Sequence, residues 1–230
     1  MKRPHLPPRV NLKEVAHQAT RLVKGSDIAL AYGGIVVGIA VVLAIAPDSI
    51  HDDVVLQSST NLANLRSHPL HVLAVSAFVV SNVLGLWLVP FLMIAYAAAQ
   101  RWLGRIAAIT AGVFGHVGAT LFVATLLVAG IRDRIVRASV AREPDVGVSY
   151  GLAAVAGMLA GYVPARWRWW YVGALLLSFG TPLIAFTTFT DVGHITALTI
   201  GFCLGWISHR AARAAAGAPA GSREGQNAAS

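Results

Sequence analysis

The sequence predicts an all-α membrane protein with six transmembrane helices, and three observations lead to this prediction. Hydrophobic residues make up 56% of the 230 residues, and charged residues make up only 12%. This charged share is about half of what is usual in soluble domains. The charged residues also lie mainly in short segments between long apolar ones. Composition and patterning together exclude an ordinary soluble domain.

Six apolar segments come close to the roughly 20 residues that one bilayer-spanning helix requires. They cover residues 28–46, 72–99, 106–131, 146–163, 171–187 and 192–208. The second and third segments exceed this length, so they have room to tilt or to include an interfacial stretch near residues 70–78. The last three segments are short, and short spans beside longer ones leave room for a recess that water can enter.

Basic residues predict the orientation, because cytoplasmic connections carry an excess of Lys and Arg. With six crossings, the basic residues before the first segment and after the second, fourth and sixth segments all fall on one side. Both chain termini are therefore expected in the cytoplasm. The connection between the third and fourth segments, with four arginines on the opposite side, fits this rule least well. Because orientation explains the net charge of +8, no nucleic-acid partner is expected.

The chain divides into three parts. Residues 1–26 are a basic cytoplasmic segment, in which Asn11 and Glu14 resemble a helix capping box and apolar residues recur at helical spacing. We expect an amphipathic helix on the membrane surface there, with a solvated basic tail as the alternative. Residues 27–209 form the transmembrane domain. Residues 210–230 are poor in large apolar side chains and are predicted to be a disordered cytoplasmic tail.

The sequence offers few residues that could form a disulfide or bind a metal ion. Cys203 is the single cysteine, so one chain can form neither an internal disulfide nor a thiolate metal site. The apolar segments contain no HExxH motif and no carboxylate. We therefore expect no metal and no cofactor.

Ser149 and His194 are the candidate catalytic residues. Each lies near the beginning of a short segment, and the fourth and sixth segments run in the same direction through the membrane. Ser149 follows Asp145 by four residues and His194 follows Asp191 by three, so their depths agree to within one helical turn, about 5 Å. A serine and a histidine at equal depth can form a nucleophile and its general base. The two aspartates are interpreted as charges placed favourably at helix N-termini.

Small residues predict that these two segments pack against each other. Below His194, a stripe at four-residue spacing lets two helices approach closely, and it consists of Ala197, Gly201 and Gly205. The fourth segment carries a comparable set, which consists of Gly147, Gly151, Gly157 and Gly161. If the two stripes meet, Ser149 and His194 meet with them.

The same residues carry a resemblance to a known family. GVSYG opens the fourth segment, and GHITALTIGFCLGW in the sixth places small residues three, seven and eleven positions after the histidine. HPLHVLAVSAF and AQRWLGR flank the second segment. Over about residues 65–208 the chain resembles the rhomboid family of intramembrane serine proteases, which implies a six-helix rhomboid-like bundle. The resemblance also implies Ser149 as nucleophile, His194 as general base, and cleavage of a substrate's transmembrane segment near the outer face.

Two polar positions of that family are replaced here. Members usually carry a histidine and an asparagine on the second helix to stabilise the oxyanion, and the corresponding positions hold Leu84 and Leu88, which cannot donate a hydrogen bond. The remaining candidates for oxyanion or other site support are His116, Tyr150, Gly147 and Asn82. An ionisable residue within an apolar segment, such as His116, is a functional candidate by default, with a hydrogen-bonded structural histidine as the alternative.

Three classes of function remain open. The first is a serine hydrolase that cleaves transmembrane segments through Ser149 and His194. The second is a catalytically inactive relative that binds membrane helices of other proteins in the same recess. A small transporter or channel is the third, and the lack of charged pathway residues and of a recognisable inverted repeat speaks against it. The expected partners are the lipid bilayer and a membrane-protein substrate or client helix, and the Ala- and Arg-rich composition indicates a bacterial cytoplasmic membrane.

Overall fold

The computed structural model describes residues 25–185 and 188–217, with the backbone alone at residues 83–84 and 215–217. The α-helices in these ranges are α1 (Asp27–Ile45), α2 (Asp48–Ser58), α3 (Leu62–Ser67), α4 (Pro69–Ser76), α5 (Leu88–Leu103), α6 (Arg105–Arg132), α7 (Val148–Leu159), α8 (Ala165–Ala185) and α9 (Phe189–Gly217). Two short 3-10 helices cover Val83–Trp87 and Ala138–Arg142. No strand occurs in the described part of the chain, so the predicted all-α class is confirmed.

Four helical stretches in the described ranges are long and apolar enough to cross a membrane. They are Asp27–Ile45, Gly85–Leu103, Arg105–Arg132 and Phe189–Ala214. Val148–Leu159 is also apolar but shorter. The chain is therefore a multi-pass membrane protein. The count of six crossings and the cytoplasmic placement of both termini stay predictions.

The predicted second segment, residues 72–99, is divided in two. Its first part belongs to the short helix α4, the backbone then turns, and a 3-10 helix capped by the Asn82 side chain leads into α5. Pro90 explains why α5 begins so late, since a proline lacks the amide donor and its ring collides with the carbonyl four residues earlier. Helix α4 covers most of residues 70–78, and the interfacial position that was expected for this stretch stays a prediction.

Two other helix boundaries differ from the predicted ones. Helix α8 begins at Ala165, six residues earlier than expected, because the Pro164 carbonyl accepts the amides of Trp167 and Arg168 in a new first turn. Helix α9 continues to Gly217, past the predicted start of the tail at residue 210. The basic segment 1–24, with its predicted amphipathic helix, and the tail 218–230 lie outside the described residues.

Helix α7 is the centre of the fold. It packs against α5, α6 and α9, and eleven of its twelve residues are buried. The exception is Ser149. Because a helix that is covered on almost every side has few ways to shift, the backbone of α7 can hold Ser149 in a fixed position.

Helices α7 and α9 touch through backbone atoms rather than long side chains. A methyl group added at Gly157 would lie 2.6 Å from the Leu198 carbonyl oxygen, and one added at Gly161 would lie 3.0 Å from the Gly205 oxygen. Methyl groups added at Gly201 and Gly205 would overlap the carbonyls of Ala154 and Met158. The stripe of small residues on α9, including the fully buried Ala197, therefore faces α7.

The other two glycines of the fourth segment have different neighbours. A methyl group at Gly147 would overlap the His116 ring, and one at Gly151 would lie 3.3 Å from the Tyr96 hydroxyl. Only the second half of the predicted stripe, Gly157 and Gly161, lies against α9.

Candidate active site

Ser149 and His194 lie side by side. The Nε2 atom of His194 is 2.8 Å from the Oγ atom of Ser149, which is a normal hydrogen-bond distance. Ser149 is the second residue of α7 and His194 is in the second turn of α9, so the two helix starts bring the pair together. The predicted equality of depth and the close approach of α7 and α9 both contribute to this contact.

The pair opens into a cleft of about 390 Å³. One wall comes from α8, through Ser178, Phe179 and Pro182. The opposite wall comes from the start of α5 and the residues before it, and it includes Ser81 and Leu88. Both side chains of the pair are half-buried, so they are held by protein on one side and reachable from the cleft on the other.

Ser149 also sits at a helix N-terminus, where amide groups lack partners. The backbone N–H groups of Val148 and Ser149 have no hydrogen-bond partner among the described residues, whereas the next two amides bond to the Gly147 carbonyl. The first amides of a helix carry the positive end of its dipole. Negative charge that develops beside Ser149 would therefore meet free donors.

Two aromatic rings hold His194 in place. The Tyr150 ring meets it edge-on, with ring centroids 5.2 Å apart, and the Phe179 ring lies at 5.5 Å on the α8 side. Tyr150 is fully buried. Tyr150, one of the candidates for site support, therefore packs on the His194 ring.

Asp145 is a hydrogen-bond hub that the sequence did not reveal. Its carboxylate accepts from the Tyr150 hydroxyl at 2.9 and 3.0 Å, from Thr190 at 3.2 Å and from Thr60 at 3.3 Å. Its backbone is held as well, because its amide donates to Ser59 Oγ and its carbonyl accepts from the Thr60 amide. Burial raises the pKa of the Asp145 carboxyl to about 6, against the lowering effect of these hydrogen bonds.

Asp191 has the helix-start role that was predicted for both aspartates. Its carboxylate accepts from the amide and the hydroxyl of Thr188, and its own amide donates to Thr188 Oγ at 3.3 Å. This reciprocal pattern is a capping box at the start of α9. No spacing rule distinguishes Asp145 from Asp191, since only the tertiary fold brings Thr60 and Thr190 to Asp145.

His116 lies behind Gly147 and outside the cleft. Its Nε2 atom is 3.0 Å from the Leu73 carbonyl oxygen and 3.2 Å from Ser76 Oγ, so it ties α6 to α4. The amide of Gly147 donates to the carbonyl of the same Ser76, at 2.9 Å. His116 and Gly147 thus support the start of α7 through α4, and a direct oxyanion role for either stays a prediction.

The residues around positions 84 and 88, where the family usually has its oxyanion donors, differ in whether they reach the cleft. The Asn82 side chain accepts from the Gly85 amide at 3.1 Å, as the cap of the 3-10 helix. Leu88 lines the cleft, as does the exposed Ser81. The Leu84 side chain lies outside the described part of the structure.

No group of three or more His, Cys, Asp and Glu side chains able to hold a metal ion occurs within residues 25–185 and 188–217. The arrangement around Ser149 consists of a hydroxyl, an imidazole, free helix amides and an open cleft. These are the components that acyl transfer requires.

Comparisons with known proteins agree with the architecture. A family model described as "rhomboid-like protein" matches residues 21–213. No curated protein and no solved structure matches the chain. The matched range includes all nine helices up to the last turn of α9, together with Ser149 and His194. The chain therefore belongs to the family of rhomboid-like proteins.

Proposed function

We propose that this rhomboid-like membrane protein is a serine hydrolase that cleaves transmembrane segments of other proteins. The observation that carries the proposal is the 2.8 Å contact between His194 Nε2 and Ser149 Oγ at the bottom of an open cleft. A nucleophile and its base need this separation, because the base must remove the hydroxyl proton as the new bond forms.

The reaction starts from the neutral imidazole with its proton on Nδ1, so that Nε2 accepts from the Ser149 hydroxyl. Ser149 Oγ attacks the scissile carbonyl carbon while Nε2 takes the proton. His194 then gives this proton to the leaving amine, and an acyl ester on Ser149 remains. A water molecule from the cleft, deprotonated by the same nitrogen, hydrolyses the ester and restores the serine.

The oxyanion is stabilised first by backbone amides. The N–H groups of Val148 and Ser149 at the start of α7 have no partner among the described residues, so they can donate to an oxyanion beside the attacking serine. Ser81 and Ser178 line the cleft from opposite walls and supply candidate side-chain donors. These groups take the place of the donors that Leu88 and its counterpart one turn earlier lack.

The substrate is a segment of a membrane protein. An apolar groove of about 580 Å³ runs between α5 and α8, and it shares Leu88, Ser178 and Phe179 with the cleft. A helix that arrives through the bilayer would therefore reach Ser149 without first entering water. We further propose six crossings with both termini in the cytoplasm of a bacterial cell, as the basic connections predict.

A fluorophosphonate probe tests the proposal, because it reacts covalently with an activated serine. The full chain is purified in detergent, and labelling is compared among wild type, Ser149→Ala and His194→Ala. We expect labelling of wild type, none of Ser149→Ala, and a loss of about two to four orders of magnitude in His194→Ala. Ser67→Ala is the matched control, since Ser67 is an exposed serine on α3 that bonds only to the Ala63 carbonyl.

Two outcomes would contradict the proposed hydrolase activity. Labelling that persists in Ser149→Ala would assign the reactive group to another residue. Folded wild-type protein that is not labelled would instead favour the alternative, a catalytically inactive relative that binds client helices in the same cleft.

A further inference from the structure

The carboxylate of Asp145 is buried, which is unusual for an ionisable side chain. Only 6% of the residue is exposed, and three hydroxyl groups from three separate parts of the chain donate to it. Burying an ionisable carboxyl is costly unless it is fully hydrogen-bonded. An N-terminal helix charge would need none of these partners, because the helix dipole acts on an exposed carboxylate too.

Tyr150 connects Asp145 to the reactive pair. Its hydroxyl donates to both oxygens of Asp145, and the edge of its ring packs on the His194 imidazole. On the α9 side the Tyr150 hydroxyl also fits against Gly193, where any side chain would overlap it. The ring therefore cannot rotate away from His194 while its hydroxyl remains bonded to Asp145.

Asp145 also sets where the two helix starts lie relative to each other. Thr190 in the first turn of α9 donates to the carboxylate, and Thr60 from the connection between α2 and α3 donates to its other oxygen. The residue itself is only three positions before α7. One side chain thus joins the segments that carry Ser149 and His194.

We propose that Asp145 is a positioning residue for the Ser149–His194 pair, which it acts on through the Tyr150 ring and through Thr190. The inference rests on the proposed hydrolase, and it adds a third residue without direct contact to His194. Loss of the carboxylate would leave the nucleophile and the base present but misaligned, and a misplacement of about 1 Å costs up to about 100-fold in rate.

The ionisation state of Asp145 supports this assignment. The titratable groups around it are Tyr150 on α7, Asp191 and His194 on α9, and His116 of α6 on the far side of Tyr150. An ionised carboxylate accepts from all three hydroxyls at once. A protonated one must donate to one of them, and that hydroxyl then has to turn. With a pKa of about 6, Asp145 would change between these states at the lower end of the physiological range.

The test compares two conservative variants with a matched control in the full-length protein in detergent. Asp145→Asn keeps the shape of the carboxylate, and Tyr150→Phe keeps the ring without its hydroxyl. Tyr32→Phe is the control, because it removes the hydroxyl of a half-buried tyrosine, bonded to the Ala77 carbonyl at 2.6 Å, away from His194. Fluorophosphonate labelling rates, normalised to the folded fraction, are measured between pH 5 and 8, and the His194 ring resonances are followed by heteronuclear NMR.

We expect labelling at pH 7.5 to fall by about 10- to 100-fold in Asp145→Asn and Tyr150→Phe and to stay within about 2-fold in Tyr32→Phe. The His194 ring resonances should move in the first two variants and not in the control. Should Asp145→Asn fail to fold, Thr190→Val removes a single donor and is expected to change both readouts in the same direction by a smaller amount.

The two readouts separate this inference from the proposed function. Wild type that is labelled at Ser149, with rates and His194 resonances unchanged in Asp145→Asn, would overturn the positioning role and leave the hydrolase intact. A lower rate with unmoved His194 resonances would also overturn it, since the loss would not pass through His194. Unlabelled wild type with resonances that move in both variants would defeat the hydrolase and support the positioning role.

Discussion

At the scale of single residues, the position of Ser149 is set by what surrounds it. The other eleven residues of α7 are buried, and the half-buried serine lines the cleft, where its hydroxyl meets His194. A proton can pass between the two side chains without a change of rotamer. The precision of the pair therefore comes from close packing around α7 and from the rings that flank His194.

Gly193→Ala tests the fit of Tyr150 against α9. The new methyl group would overlap the Tyr150 hydroxyl and ring, which cannot retreat from a buried position. We expect a loss of about 1 to 3 kcal/mol in unfolding free energy and a fluorophosphonate labelling rate at least 10-fold lower. Thermal unfolding in detergent and labelling kinetics measure the two effects. Gly180→Ala is the control, because its methyl group would make an ordinary 4.0 Å contact with Ile195. An equal loss in Gly180→Ala would show that the effect of Gly193→Ala does not come from the overlap with Tyr150.

Asp145 predicts how stability depends on pH. Its carboxyl has a pKa of about 6 in the fold, against 3.8 ordinarily, so the folded state favours the protonated form. The contribution to stability is complete below about pH 4 and is lost as the pH rises through about 6, with an upper limit of about 3 kcal/mol. We expect the unfolding temperature in detergent to fall between pH 4 and 7 in wild type. The same scan on Asp145→Asn should lack this part of the slope, and an unchanged slope would show that other groups cause it.

The contact between Ser149 and His194 could be predicted from the sequence, but the residues that support it could not. Ser149 and His194 are each a few residues from the start of a segment, and chain direction alone places them at equal depth. Asp145 looks identical to Asp191 in the sequence, since each directly precedes a predicted apolar segment. Only the fold brings Thr60, some 85 positions away in the sequence, to the carboxylate of Asp145.

At the scale of elements, the contact between α7 and α9 fixes the site. Gly201 and Gly205 on α9 lie against the α7 backbone, and Gly157 and Gly161 return the contact. Because backbone meets backbone, no flexible side chain can absorb an added group. The distance between the axes of α7 and α9 is therefore fixed by this backbone contact.

Gly201→Ala tests this contact. The added methyl group would overlap the Ala154 carbonyl, so the helices must move apart, and we expect a loss of about 1 to 3 kcal/mol. Gly173→Ala in α8 is the matched control, since nothing lies within 4 Å of the new methyl group and alanine favours a helix by up to about 1 kcal/mol. Thermal unfolding in detergent should separate the two in opposite directions, and equal behaviour would mean that the contact is looser than described.

Helix boundaries could be predicted where an apolar segment ends in charged or small residues, and less well elsewhere. The apolar run of residues 72–99 hides a break, because hydropathy does not respond to the effect of Pro90 on the preceding backbone. The four glycines of the fourth segment are predicted as one set of small residues that can meet the sixth segment. Gly147 instead lies against His116, and Gly151 lies against Tyr96. A glycine allows any neighbour to approach closely, so its presence in the sequence does not predict which neighbour that is.

At the scale of the whole molecule, orientation in the membrane remains the prediction with the widest consequences. Cysteine accessibility in intact cells tests it, starting from Cys203→Ser. We expect Asp133→Cys, at the end of α6, to react with an impermeant maleimide, and Ala212→Cys, near the end of α9, to react only after the cells are opened. Both positions are exposed. Labelling of Ala212→Cys in intact cells would contradict a cytoplasmic C-terminus.

Helix α8 differs from the other long helices, because every one of its residues is at least partly exposed. It nevertheless forms one wall of the cleft through Ser178, Phe179 and Pro182. A mutation on this wall alters what the cleft touches without disturbing the packing of α7 and α9, whereas almost any mutation between those two helices disturbs the contact between Ser149 and His194. For the proposed hydrolase, selection can therefore diversify substrate recognition in α8 while the Ser149–His194 contact stays unchanged, and a mutational scan would find substitutions tolerated in α8 and not between α7 and α9.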